Sequence, residues 1–86
     1  MKKFDDIETN YNRHIKAARL FAKGTSGYDR ALKIRDYFES VNHPHPTYTF
    51  NYVRLSGGAY SDKQFAIQLM KEMAYLVATN EHLGFN

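Results

Sequence analysis

Thr47-Tyr48-Thr49-Phe50-Asn51-Tyr52-Val53-Arg54-Leu55 is the stretch on which the fold class turns. It is dense in β-branched and aromatic residues, which favour extended backbone. Alternation places Tyr48, Phe50 and Tyr52 on one face, and Thr49, Asn51, Val53 and Leu55 on the other. The pattern predicts a strand over 47–55. Ahead of it, Asn42-His43-Pro44-His45-Pro46 stops any preceding helix, because proline lacks a donor and restricts its predecessor. Ser56-Gly57-Gly58 breaks the segment on the far side.

Helices are expected around this strand. Phe4, Ile7, Tyr11, Ile15, Ala18 and Ala22 recur at three- and four-residue spacing, which predicts a first helix over 5–22. Asp5, Asp6 and Glu8 suit the positive end of its dipole, and Gly24 suits its C-terminal stop. Ser26 and Asp29 resemble a capping box for a second helix over 27–41. Ala31, Ile34, Phe38 and Val41 form the apolar stripe of that helix. A short glycine-containing turn between the two predicts a helical hairpin. Ser61 and Gln64 form a second capping box, opening a third helix over 62–79. Its apolar positions, from Phe65 to Val77, cover an arc of roughly 200°, about twice what a surface helix needs. That helix is therefore central or covered on two sides. Residues 80–86 read as an irregular tail.

The expected fold class is thus α+β, an ααβα arrangement in one domain spanning 1–86. The single strand has no evident partner within the chain, and unpaired strand edges seek one. Ala59-Tyr60 offers a short return strand. A copy of the same strand across a two-fold axis offers another, and the wide arc of the last helix favours that homodimer.

Composition narrows the function. The 86 residues contain no cysteine, seven Tyr and six Phe. Disulfides, thiolate metal sites and cysteine nucleophiles are excluded. No apolar run reaches the roughly 18 residues of a membrane span. The N-terminus lacks the apolar stretch of a signal peptide, so a cytoplasmic protein is expected.

Charge is unevenly placed. Between Thr9 and Arg35 stand Arg13, Lys16, Arg19, Lys23, Arg30, Lys33 and Arg35 against the single acid Asp29. The rest of the chain is net acidic, although the whole carries +3. On the first helix, Arg13, Arg19 and Lys23 fall within about 60° of Lys16 and opposite the apolar stripe. Such a stripe suits phosphate neutralisation. Arg30 and Lys33 extend it from the second helix, and Tyr28, Tyr37 or Tyr48 offer stacking surfaces beside it. RNA is the expected partner, bound non-specifically through Arg13, Lys16, Arg19, Lys23, Arg30 and Lys33. No helix-turn-helix, ribonucleoprotein or zinc signature points to a particular groove or sequence.

Other constellations are weaker. His43 and His45, with His14 or His82, match no zinc spacing and read as a turn rather than an acid–base pair for RNA cleavage. Residues 55–61 join a strand to a helix start, but they lack the Lys-Ser/Thr ending of a phosphate loop. The reading is of a binding protein without catalytic residues, metal or cofactor.

The opening from Met1-Lys2-Lys3-Phe4-Asp5-Asp6-Ile7-Glu8-Thr9-Asn10-Tyr11 through Lys23-Gly24 gives the chain a recognisable character. Short, cysteine-free, Tyr- and Asn-rich and basic in its first helix, it resembles the small accessory, anti-defence proteins of large T-even-type phages, in particular TifA-like inhibitors of the ToxN ribonuclease toxin. That resemblance implies an RNA-binding dimer that joins RNA and a host toxin in an inactive assembly. It assigns no role to any individual residue. Two rival readings are a protein-only, anti-CRISPR-like inhibitor whose basic helix docks on an acidic defence protein, and a small DNA-binding regulator.

Overall fold

The computed structural model describes residues 6–41, 45–58 and 60–84. They form four helices: α1 Ile7–Phe21, α2 Gly27–Ser40, α3 Pro46–Ser56 and α4 Asp62–Leu83. No described residue lies in a strand. The α+β expectation is therefore corrected to an all-helical fold.

The correction rests on the segment 47–55, which is helix α3. Pro46 occupies its first turn, where a missing N–H costs nothing and the fixed φ already suits a helix. Thr49, Phe50 and Val53 are the buried residues, and this spacing is that of one helical face. Phe50 packs edge-on against Phe65, ring centroids 5.0 Å apart at 78°, and against Tyr28. The alternating pattern would have placed Tyr48 and Tyr52 beside Phe50. Instead they are 69% and 54% exposed, one turn apart, with rings stacked at 18°. A solitary strand would leave its backbone groups unpaired, whereas a helix satisfies most of them internally. Tertiary packing and backbone pairing outweigh β-propensity here. Of the suggested return strand, Tyr60 is not extended in a sheet, and Ala59 lies outside the described residues.

The other elements follow their sequence signals more closely. Asp6 caps α1, its carboxylate accepting from the Thr9 N–H at 2.7 Å. At the far end, the Ala22 carbonyl accepts from the Thr25 N–H at 3.1 Å and the Thr25 hydroxyl at 2.6 Å. Ser26 stands at the N-cap of α2, but its side chain makes no capping bond. The Ser26/Asp29 capping box is thus not formed. Ala31, Ile34 and Phe38 are buried as the stripe requires. Ser61 does cap α4, accepting from the Gln64 N–H at 3.2 Å.

α4 runs past Thr79 to Leu83 and stops at Gly84, whose φ of 81° is left-handed. A glycine adopts that conformation without steric cost. The irregular tail expected from residue 80 is therefore helical through Leu83. α4 packs against α1, α2 and α3 together, while α3 touches α2 and α4 but not α1. This central position accounts for the wide apolar arc within one chain. The two grounds for expecting a dimer, an unpaired strand and an unused apolar face, are thus removed by the fold.

The core joins Ala18 and Ala22 of α1, Ala31, Ile34 and Phe38 of α2, Phe50 and Val53 of α3, and a row of α4 residues centred on Leu69 and Met73. One buried polar atom of α4 lacks a partner: the hydroxyl of the half-buried Thr79 is unbonded among the described residues. An unmade buried hydrogen bond costs about 1–3 kcal/mol. Thr79→Val is accordingly expected to raise the melting temperature by several degrees, at roughly 4–8 °C per kcal/mol for a domain of this size. A lowered melting temperature would show that the hydroxyl has a partner after all.

Candidate nucleic-acid interface

The basic residues of α1 do not behave as one uniform stripe. Lys16, Arg19 and Lys23 are exposed as predicted. Arg13 is committed elsewhere: its guanidinium donates to Asn10 at 2.9 Å and pairs with Glu81 of α4 at 3.2 Å. Arg30 is half-buried and donates to the Ala22 carbonyl at 3.4 Å, completing the C-terminal end of α1. The Lys33 ammonium sits 5.8 Å from the Phe21 ring centroid. Arg13, Arg30 and Lys33 are thus partly spent on intramolecular contacts.

The structure adds two cations that charge counting along the N-terminal half missed. Lys63 and Lys71 of α4 join Arg19 and Arg30 around a groove between α1, α4 and the start of α2. The groove measures about 960 Å³. Its lining also includes the buried or half-buried apolar residues Ile15, Ala66, Ile67 and Met70, with Thr25, Ser26 and Gly27. Among the described residues no acidic one lines it. Arg19 comes from α1, Arg30 from α2, and Lys63 and Lys71 from α4, which packs against both α1 and α2. Lys63, Ile67 and Lys71 recur every fourth residue on α4, which is the signal that would have located them.

Tyr11, half-buried, and Lys71 stand where this groove meets a smaller one lined by Ile7, Glu8, Gln68, Glu72 and Tyr75. The second groove therefore carries carboxylates. Electrostatic preference for an anion changes at Tyr11 and directs it towards Arg19, Arg30 and Lys63.

The tyrosines expected beside the patch are occupied elsewhere. Tyr28 lies between Phe50, Phe65 and the Arg54 guanidinium, which is 4.8 Å from its ring centroid. Tyr48 is on α3, away from α1. Tyr37 bonds to His14. Tyr11 is the aromatic that lines the groove.

A second polar constellation lies on the other side of α1. His14 is only 3% exposed and Asn10 only 4%. The His14 Nδ1 is 3.0 Å from the Tyr37 hydroxyl, and its Nε2 is 3.1 Å from Glu81 Oε2. A carboxylate only accepts, so Nε2–H donates to Glu81, and in the neutral ring Nδ1 accepts from Tyr37. Burial raises the Tyr37 pKa above its ordinary value, Glu81 adds to the rise and Arg13 opposes it. A phenol held protonated is not an activated nucleophile. Neither of the two grooves described above is lined by His14, Tyr37 or Glu81. The cluster reads as a clamp joining α1, α2 and α4. With both nitrogens engaged, His14 is not a metal ligand. Among the described residues no three His, Asp or Glu side chains converge as a metal site. His43 lies outside the described residues.

Among the described residues no helix is long and apolar enough to cross a membrane. No family model, curated protein or solved structure matches the chain.

Proposed function

We propose that this chain binds RNA through phosphate contacts on a cationic surface. The surface runs from Lys16 and Lys23 on α1 to the groove framed by Arg19, Arg30, Lys63 and Lys71. The observation that supports the reading is that groove: four cations from three helices, with no carboxylate among the described lining residues. Phosphates repeat along a nucleic acid at a density that engages several such cations at once. Contacts of this kind carry no direct base information, so the binding is sequence-tolerant.

A second reading, an acidic protein partner, is favoured by Leu20. It is 66% exposed on the same side of α1 as Lys16 and Lys23, and a bare leucine amid cations suits a protein surface better than a phosphate chain. An inhibitory role in a toxin–RNA assembly is supported by the resemblance of character alone.

Salt titration tests the first reading. Four to six phosphate contacts on a single strand give a slope of about −3 to −4 in log affinity against log salt. Affinity for RNA is then expected to fall roughly 50- to 300-fold between 50 and 200 mM salt. Absence of binding at the low-salt end, or binding indifferent to salt, overturns it.

A further inference from the structure

Resting on the RNA reading above, we propose that the groove between α1 and α4 admits unstacked bases, so that this protein selects single-stranded RNA over duplex. A convex basic face would be enough to hold phosphates. This surface is instead concave, and its less exposed lining is apolar: Ile15, Ala66, Ile67 and Met70 are buried or half-buried, while Arg19, Lys63 and Lys71 are exposed. Apolar lining and charged rim match the two halves of a nucleotide, a flat base and a phosphate. Duplex RNA keeps its bases stacked inside, so it offers the apolar lining nothing.

Three planar groups face or frame this space: the Tyr11 ring and the Arg19 and Arg30 guanidiniums. Bases stack on aromatic rings and on guanidinium planes without regard to sequence. The carboxylates Glu8 and Glu72 beyond Tyr11 repel phosphate and limit the occupied length to the cationic side. The strand leaves over Lys16 and Lys23, the exposed cations of α1 outside the groove.

The experiment compares a labelled oligouridine with a blunt RNA duplex of the same length by fluorescence anisotropy at one salt concentration. The parent is expected to bind the single strand at least about tenfold more tightly, a size typical of one stacked base. Tyr11→Leu keeps an apolar residue at the groove junction and is expected to lose about tenfold on the single strand and nothing on the duplex. Lys71→Glu changes an exposed rim residue and is expected to weaken the single strand with the fold intact by circular dichroism.

If Tyr11→Leu unfolds, photocrosslinking of a 4-thiouridine oligonucleotide to the parent decides the matter. Crosslinks at Tyr11 or within 66–71 support the groove, and crosslinks confined to other peptides overturn it. Equal affinity for single strand and duplex overturns the groove while leaving the phosphate reading standing. Displacement of the oligonucleotide by a polyglutamate peptide at equal charge concentration assigns the groove to an acidic protein and overturns the proposal. No RNA binding at all overturns both readings.

Discussion

Glu81→Leu is expected to destabilise the protein by about 2 kcal/mol, which lowers the melting temperature of a domain this size by roughly 10 °C. Glu81 holds two groups at once. Its Oε2 accepts from the buried His14 ring and its Oε1 pairs with Arg13. The Arg13 side chain is 56% exposed, so that pair contributes at most about 1 kcal/mol. The larger loss comes from His14, whose Nε2–H would be left buried without an acceptor. Removing one partner costs the full desolvation of the other, whereas removing both is much milder. The double variant His14→Leu/Glu81→Leu is therefore expected to be less destabilised than the two single changes added together. Urea melts of the four proteins measure that coupling. An unchanged unfolding midpoint for Glu81→Leu would mean that water replaces the carboxylate at no cost.

The same clamp has a signature at alkaline pH. The Tyr37 pKa is raised in the folded protein, chiefly by burial and also by Glu81. Stability held by the neutral phenol is complete below the unfolded value near 10 and falls as pH rises through the folded value. Taking Glu81 away removes one of the raising influences, so the window of alkaline loss narrows in Glu81→Leu. Desolvation remains, so the window does not close.

Those groups also mark where the sequence stops speaking. The cap at Ser61, the stripe of α2 and the wide arc of α4 were legible, because each is a local pattern of a few residues; Asp6, read as a first-turn charge, is instead the N-cap of α1. Segment 47–55 was misread because two periodicities coexist in it. Tyr48, Phe50 and Tyr52 alternate, while Thr49, Phe50 and Val53 keep helical spacing. Only the presence of Phe65 and Tyr28 as packing partners, and the lack of a partner strand, decides between them. Pro46 at the first helical position was the local hint. His14 and Asn10 sit on the α1 face that packs against the bundle, yet neither is apolar, so a hydrophobic pattern passes over them. Their burial is made tolerable by Tyr37, Glu81 and Arg13, up to 67 positions away in sequence. The groove was half legible. Arg19 and Arg30 belong to the N-terminal charge cluster, but Lys63 and Lys71 lie in a region whose overall charge is acidic, and only the packing of α4 on α1 brings them round.

Lys16→Glu with Arg19→Glu is expected to abolish RNA binding at physiological salt and to leave the fold as it is. Both side chains are exposed, and among the described residues no hydrogen bond or ion pair holds either to the rest of the chain. Changes at such positions alter stability by less than about 0.5 kcal/mol. Their effect on binding is disproportionate for two reasons. Each phosphate that a cation no longer neutralises takes about 0.7 from the single-strand salt slope, so the pair takes about 1.4. Each new carboxylate also stands where a phosphate would lie, and in the groove Arg19→Glu introduces the first acid among its described lining residues. The weakening should be the same across RNA sequences, because these cations face phosphate and not base edges. Charge reversal at Glu39 and Asp29, exposed acids on α2, provides the control: changing both to Lys raises net charge without building the α1 surface. If the stripe acts locally, this control does not restore binding to the double variant. If it does, only bulk charge matters and the α1 surface has no special role. Mobility-shift titrations of the parent, the double variant and the compensated variant separate these outcomes, with circular dichroism confirming that all three are folded.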